Sequence, residues 1–193
     1  MGLLDSIRGR REPAQPQLDA LFALPSAAIS LQVSLDMTPT GIGSVAFRSP
    51  EGRAFVDLET EIRHLLDADG GPPTEMVVDD FGFTWTVVRT HPPDLPTTVT
   101  DLHAVNTALV GAGFGPQLLC SLLGFVDPAG QHLAMIYLFK RGTFYPFAPV
   151  GDPAHSEQRD NVLELRVRDL LTGELPMETD MSRWFAVWKA PGL

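Results

Sequence analysis

The sequence predicts an α+β fold: an antiparallel sheet built from adjacent pairs of strands, with helices mainly on one face. Three observations lead there. Apolar residues recur at helical spacing in separated stretches, and strand-like runs come two at a time between them. The turns inside each pair are short enough for hairpins and too short for the crossover that parallel strands need. One core suffices for 193 residues, so residues 17–193 read as a single globular domain.

The first sixteen residues stand apart as a flexible basic tail. Met1, Leu3, Leu4 and Ile7 share one side of a short helix, Arg8, Arg10 and Arg11 follow, and Pro13 and Pro16 make the next stretch an extended linker. The tail reads in two ways. One is an interfacial helix whose apolar side enters a lipid head-group layer while the arginines meet anionic lipid; the other is a frayed terminus. Past the linker, Leu18, Leu21, Phe22 and Leu24 form a short amphipathic turn of helix that Pro25 ends. Residues 28–35 and 44–48 then read as short strands on either side of a Thr38-Pro39-Thr40-Gly41 turn.

Phe55, Leu58, Ile62, Leu65 and Leu66 repeat at helical spacing over 53–68, with Glu59, Glu61, Arg63 and Asp67 largely on other faces. The Gly70-Gly71-Pro72-Pro73 run stops that helix. Residues 74–78 and 84–89 form a hairpin around Asp79-Asp80-Phe81-Gly82. Asp94 starts the next helix, Pro96 is tolerated in its first turn, and Val99, Leu102, Val105, Leu109 and Val110 mark its buried side. Gly111 and Gly113 close it. The strongest hairpin signal follows, 118–126 with 132–140, because in Asp127-Pro128-Ala129-Gly130 the proline presets the turn and the glycine supplies positive φ. A helix over 160–171 carries Val162, Leu163, Val167, Leu170 and Leu171, and a short C-terminal segment holds Trp184, Phe185, Val187 and Trp188.

Charge and residue chemistry exclude more than they assign. Acidic residues outnumber basic ones 24 to 14, a formal charge of −10 with which the body repels nucleic-acid phosphates and anionic lipid head groups. Cys120 is the only cysteine and sits in an apolar strand, so no internal disulfide forms and a reducing cytoplasm is the expected setting. No run of about 18 apolar residues or secretory leader is apparent, which predicts a soluble chain. The five histidines lack metal-ligand spacing, and Gly111-Ala112-Gly113-Phe114-Gly115 follows a helix where a phosphate loop would open one. No catalytic set, metal or cofactor is therefore expected. The competing class is an enzyme with a pocket around His103, using Asp101 and Asn106 from the same helix.

Residues 140–149, Lys-Arg-Gly-Thr-Phe-Tyr-Pro-Phe-Ala-Pro, differ in kind: two cations end a strand, and three aromatics alternate with prolines that cannot continue a sheet centre. The segment either packs back over the sheet or forms a partner-binding ridge from Lys140, Arg141, Phe144, Tyr145 and Phe147. The C-terminal Trp184 and Trp188 offer the same two readings.

Five stretches together resemble one family. They are Met1-Gly2-Leu3-Leu4-Asp5, the segment from Leu18 to Ala28, the Gly113-to-Cys120 run, Lys140-Arg141-Gly142-Thr143-Phe144-Tyr145-Pro146-Phe147, and Ser182-Arg183-Trp184-Phe185. Spanning nearly the whole chain, they resemble the bacterial and archaeal PspA-associated protein PspAB. The resemblance implies a small cytoplasmic protein linked with the phage-shock protein A envelope-stress system, peripheral to the inner face of the membrane at most, with no catalytic residues to carry over. The partner it implies is a phage-shock protein A-like coiled coil. The element order also resembles type III secretion chaperones and YbjN-like proteins, a likeness of topology alone.

Overall fold

The structure is a computed structural model that describes residues 17–49, 52–152, 155 and 157–193. The tail over 1–16, with Leu3, Leu4, Ile7, Arg8, Arg10 and Arg11, lies outside the described residues. A 3-10 turn (Leu18–Ala23) runs straight into α1 (Leu24–Leu35), followed by β1 (Thr38–Phe47), α2 (Arg53–Leu66), β2 (Glu75–Val78), β3 (Thr84–Arg89) and α3 (Leu95–Gly111). Then come β4 (Leu118–Val126), β5 (His132–Leu138), β6 (Thr143–Phe147) and α4 (Asn161–Leu171). The six strands form one sheet in the order β2-β3-β1-β4-β5-β6, with every neighbouring pair antiparallel.

The α+β class and the antiparallel sheet stand, while the first strand pair is corrected. Residues 28–35 are helical. Their β-branched residues argued for a strand, but Leu21, Leu24, Ala27, Ala28 and Leu31 recur at helical spacing and are all buried. Pro25 lies in the first turn of α1, where a missing N–H costs nothing, so it starts the helix rather than ending one. Asp36, at φ 54°, closes it in the left-handed conformation. The expected turn at 38–41 is instead part of β1. Its turn chemistry produces a register shift against β4 between Pro39 and Gly43, with Gly41 at φ 76°. At the other end, residues 143–147 add a third strand to the expected hairpin. Pro146 is tolerated there because β6 is an edge strand, and the other edge of β6 is closed by Pro176 and Glu178, which bond the Phe144 backbone.

The remaining elements follow their sequence signals. Asp94 and Asp160 cap α3 and α4, their carboxylates accepting the amides of Thr97 and Leu163 at 3.2 and 2.9 Å. Strand alternation then divides the core into two layers. Val45, Phe47, Val88, Leu123, Phe125, Met135 and Phe144 meet all four helices on one face of the sheet. A side chain on Gly43 would collide with Thr98 and Leu102, so this glycine lets α3 lie close on β1.

The second face is not left open. Ala46, Trp85, Val87, Cys120, Leu122, Ile136, Tyr145 and Phe147 pack beneath Trp184, Val187, Trp188, Ala190 and Leu193 of a C-terminal strap. Gly124 is what admits it, because any side chain there would run into the Gly192 carbonyl. Ser44 donates its hydroxyl to the Pro191 carbonyl at 2.7 Å and fastens the strap on the central strand. Of the two readings of Trp184 and Trp188, the structure takes the one in which they pack back over the sheet; a strap of irregular chain leaves no pattern of period 2 or 3.6, so periodicity alone does not mark it.

Candidate functional site

The aromatic segment is core, which corrects the partner-ridge reading of Phe144, Tyr145 and Phe147 and agrees with the other one, that the segment packs against the sheet. All three are buried, because β6 pairs with β5 and alternation sends Phe144 to the helical layer and Tyr145 and Phe147 to the strap layer. Phe144 meets Tyr137 at 5.0 Å between ring centres, Trp184 stacks on Tyr145 at 6.1 Å, and Trp188 stands edge-on to Phe147 at 4.9 Å. Trp184 is buried and Trp188 half-buried. Of the candidate ridge, only Lys140 and Arg141 reach solvent.

Two enclosed glutamates pin this arrangement. Glu178 accepts from the Thr143 hydroxyl at 3.0 Å, the Asp180 amide at 3.0 Å and Arg141 Nε at 3.3 Å, and Arg183 Nη1 stands 3.6 Å away. Burial alone would push its carboxyl up, but those donors outweigh it and hold it below its usual value. Glu164 accepts from the Ala148 amide and from Arg159 Nε, both at 2.9 Å, and Arg159 Nη1 donates to the Trp184 carbonyl at 2.7 Å. Here burial wins, and the carboxyl is raised. Neither glutamate carries a sequence signal, since a single acidic residue in a loop or helix reads as solvated.

The residues proposed for an enzyme pocket are not brought together. His103 is half-buried on the outer side of α3, 3.5 Å from Asp19 and against the Phe22 ring at 4.8 Å. Asn106 is fully buried on the sheet side, donating to the Leu102 carbonyl and the Ser121 hydroxyl at 2.7 and 2.9 Å. Asp101 lines a different, open cleft of about 290 Å³ with Thr74, Arg89 and Thr97, and His103 is not among its walls. Among the described residues no group of His, Cys, Asp or Glu could hold a metal ion. Cys120 is buried beneath the strap, and burial lifts its thiol to about 12.

The surface feature that sequence reading missed lies on α1. Its twelve residues include no charge, yet only one side is covered: Leu24, Ala27, Ala28 and Leu31 pack inward while Ile29 is 63% and Val33 79% exposed. Phe22, 47% exposed, extends the same side onto the preceding turn, so Phe22, Ser26, Ile29 and Val33 fall four, seven and eleven residues apart. The run Leu18–Leu35 has a mean hydropathy of 1.5 and is long and apolar enough by composition to cross a membrane, which corrects the expectation that no such run exists. In this fold it packs on α3, α4 and β1. Beside it α4 exposes Val162, and between the C-terminal end of α1 and the start of α4 runs a groove of about 440 Å³ lined by Asp36, Asp127, Asp160 and Arg166.

The model of one protein family, described as PspA associated protein B, matches residues 1–192. The chain belongs to the PspA-associated protein B family. No curated protein and no solved structure matches it, so the likeness to secretion chaperones and YbjN-like proteins has no solved structure behind it. Two of the stretches that suggested PspA-associated protein B are now seen to touch: Arg141 and Thr143 of the first and Arg183 of the second meet on Glu178. They build the fold around the strap. Reading 28–35 as a strand hides the 22–33 stripe; its four- and seven-residue spacing is the signal that finds it.

Proposed function

We propose that this PspA-associated protein B is a non-enzymatic cytoplasmic adaptor that docks a phage-shock protein A-like coiled coil on the outer side of α1, close to the membrane surface. One observation carries the reading. A surface helix ordinarily turns charged residues to water, and α1 has none and exposes Ile29 and Val33 beside Ser26, Gln32 and Ser34, so the Phe22-Ser26-Ile29-Val33 stripe is an exposed apolar line without a cover. Its four- and seven-residue spacing matches the seam of a partner helix, the mode in which an amphipathic helix lays anchors into a groove. The rim is acidic, with Asp36, Asp127 and Asp160 against Arg166, which suits a seam flanked by basic residues. The family description supplies the association with PspA.

The test is a double substitution, Ile29→Glu with Val33→Glu. Both side chains are exposed, so the melting curve should stay put within the small range typical of surface changes. Titration against a phage-shock protein A-like partner should lose at least about 2 kcal/mol of binding, more than tenfold in Kd. Undiminished affinity would remove α1 from the reading.

A further inference from the structure

The two edges of the sheet differ. On the β6 edge, Phe144 donates its amide to the Pro176 carbonyl and accepts the Glu178 amide. Among the described residues β2 has β3 as its single strand neighbour, and Glu75-Met76-Val77-Val78 holds neither Pro nor Lys, the residues that commonly blunt an edge. Register decides which of its backbone groups are free. Asp79 donates its amide to the Phe83 carbonyl at 2.9 Å, so the hydrogen-bonded positions opposite β3 are Asp79, Val77 and Glu75. Met76 and Val78, the alternate positions, turn their N–H and C=O groups away from β3. On one side of them Thr74 gives its amide to the Asp67 carboxylate at 2.8 Å, and on the other the chain turns at Asp79. The free edge is therefore centred on Val77, with a donor and an acceptor to each side of it.

We propose that this edge is a docking surface whose occupant is the same edge of a second copy, paired antiparallel about a two-fold axis through Val77 so that the two sheets become one. The match of polar groups names the occupant. About that axis each Met76 faces Val78 of the other copy, so every outward N–H meets an outward C=O and the short free edge is used up on both sides. Centring the axis on Met76 instead would set Val78 against Thr74, whose amide is already taken. The apolar side chains agree with the pairing, since Val77 is 40% and Val78 67% exposed. The same register carries Phe81, 79% exposed at the hairpin tip, to the exposed Pro72 and Pro73 of the other copy. Glu75 comes opposite Asp79, and both carboxylates already hold partners. Glu75 has Arg89 Nη1 at 3.1 Å, and Asp79 accepts the Phe81 and Phe83 amides and the Trp85 indole N–H, each at 2.9 Å. So short an interface falls below the standard size, and the dimer forms weakly, at high micromolar concentration and above. The inference goes beyond the partner reading and does not need it.

The experiment is sedimentation equilibrium of the full chain from micromolar to millimolar concentration. The wild type should pass from monomer to dimer over that range. Val77→Lys and Val77→Glu each set like charges against each other on the axis, with Cβ atoms about 5 Å apart, and each alone should weaken the dimer at least tenfold. An equimolar mixture of the two should regain it, because Lys then faces Glu. Val78→Pro removes an outward donor without touching a bond to β3 and should also be monomeric; should it fail to fold by its melting curve, the two Val77 variants and their mixture decide alone. A wild type that stays monomeric throughout, charge variants that dimerise as the wild type does, or a mixture that stays monomeric overturns the proposal. So does a dimer that Ile29→Glu with Val33→Glu abolishes, which would put the self-contact on α1. Those two substitutions should instead remove a phage-shock protein A-like partner and leave the dimer intact, which keeps failure of one reading apart from failure of the other.

Discussion

Glu178 and Glu164 are both enclosed and paired with arginine, yet their protons respond in opposite senses. Glu178 is held below its ordinary value near 4.5, so the unfolded chain binds its proton more readily than the native one. Its contribution to stability is present above about 4.5 and is lost as pH falls through the lower native value. Glu164, raised by burial, works the other way: its contribution is present below its ordinary value and declines as pH rises through the raised native one. Glu178→Gln should therefore flatten the acid limb of stability, measured as urea midpoints from neutral pH down to about pH 3. An acid limb identical to the wild type would show that Glu178 does not report there. At this scale the sequence spoke unevenly. The two helix-capping aspartates were legible from their position before apolar periodicity, and so was the burial of Cys120 from its flanking leucines. The enclosure of two glutamates was not, because it depends on arginines brought from other segments.

The strap is the element on which the second sheet face depends, and Trp184 is its main anchor. Removing a buried Trp side chain costs about 3–5 kcal/mol, so Trp184→Ala should lower stability by an amount in that range. It should also loosen the cover above Cys120, which shares a cluster with Trp184. In the native wild type a thiol reagent should label Cys120 very slowly, and in Trp184→Ala much faster under conditions where both remain folded. Equal labelling rates would mean that the strap does not guard that thiol. Phe144→Ala with Tyr145→Ala should cost several kcal/mol by leaving cavities on both sheet faces, read by circular dichroism melting; a variant with wild-type stability would contradict the burial of β6. Helices α2 to α4 and strands β2 to β5 were readable because their periods persist over whole elements. α1 was not, since Ile29 and Val33 favour strands intrinsically and tertiary packing decided otherwise. β6 was missed as a strand because prolines argue against sheet, and only its edge position makes Pro146 admissible.

Across the whole molecule, one sheet serves both core layers, so neither layer is an independent unit. Unfolding should be a single transition in which tryptophan fluorescence, reporting largely on the strap layer, coincides with far-ultraviolet circular dichroism, reporting the helices. Separate midpoints would show that the strap layer opens before the helical layer. The class of fold was legible from strand pairing, while the closure of its second face was legible only as one of two readings of Trp184 and Trp188. The site was legible in less measure: the aromatic motifs that stood out build the interior, and the exposed stripe on α1 sits in residues that looked unremarkable as a strand. The position of the strap in the chain also sets an order of events during synthesis. Residues 184–193 leave the ribosome after every strand they cover, so Leu122, Ile136, Tyr145 and Phe147 spend that interval on an uncovered side of the sheet. At roughly 5–20 residues per second, the stretch from the end of β6 to the end of the strap takes about 2–9 s to emerge, and for that time the nascent chain exposes an apolar sheet face that the finished protein covers.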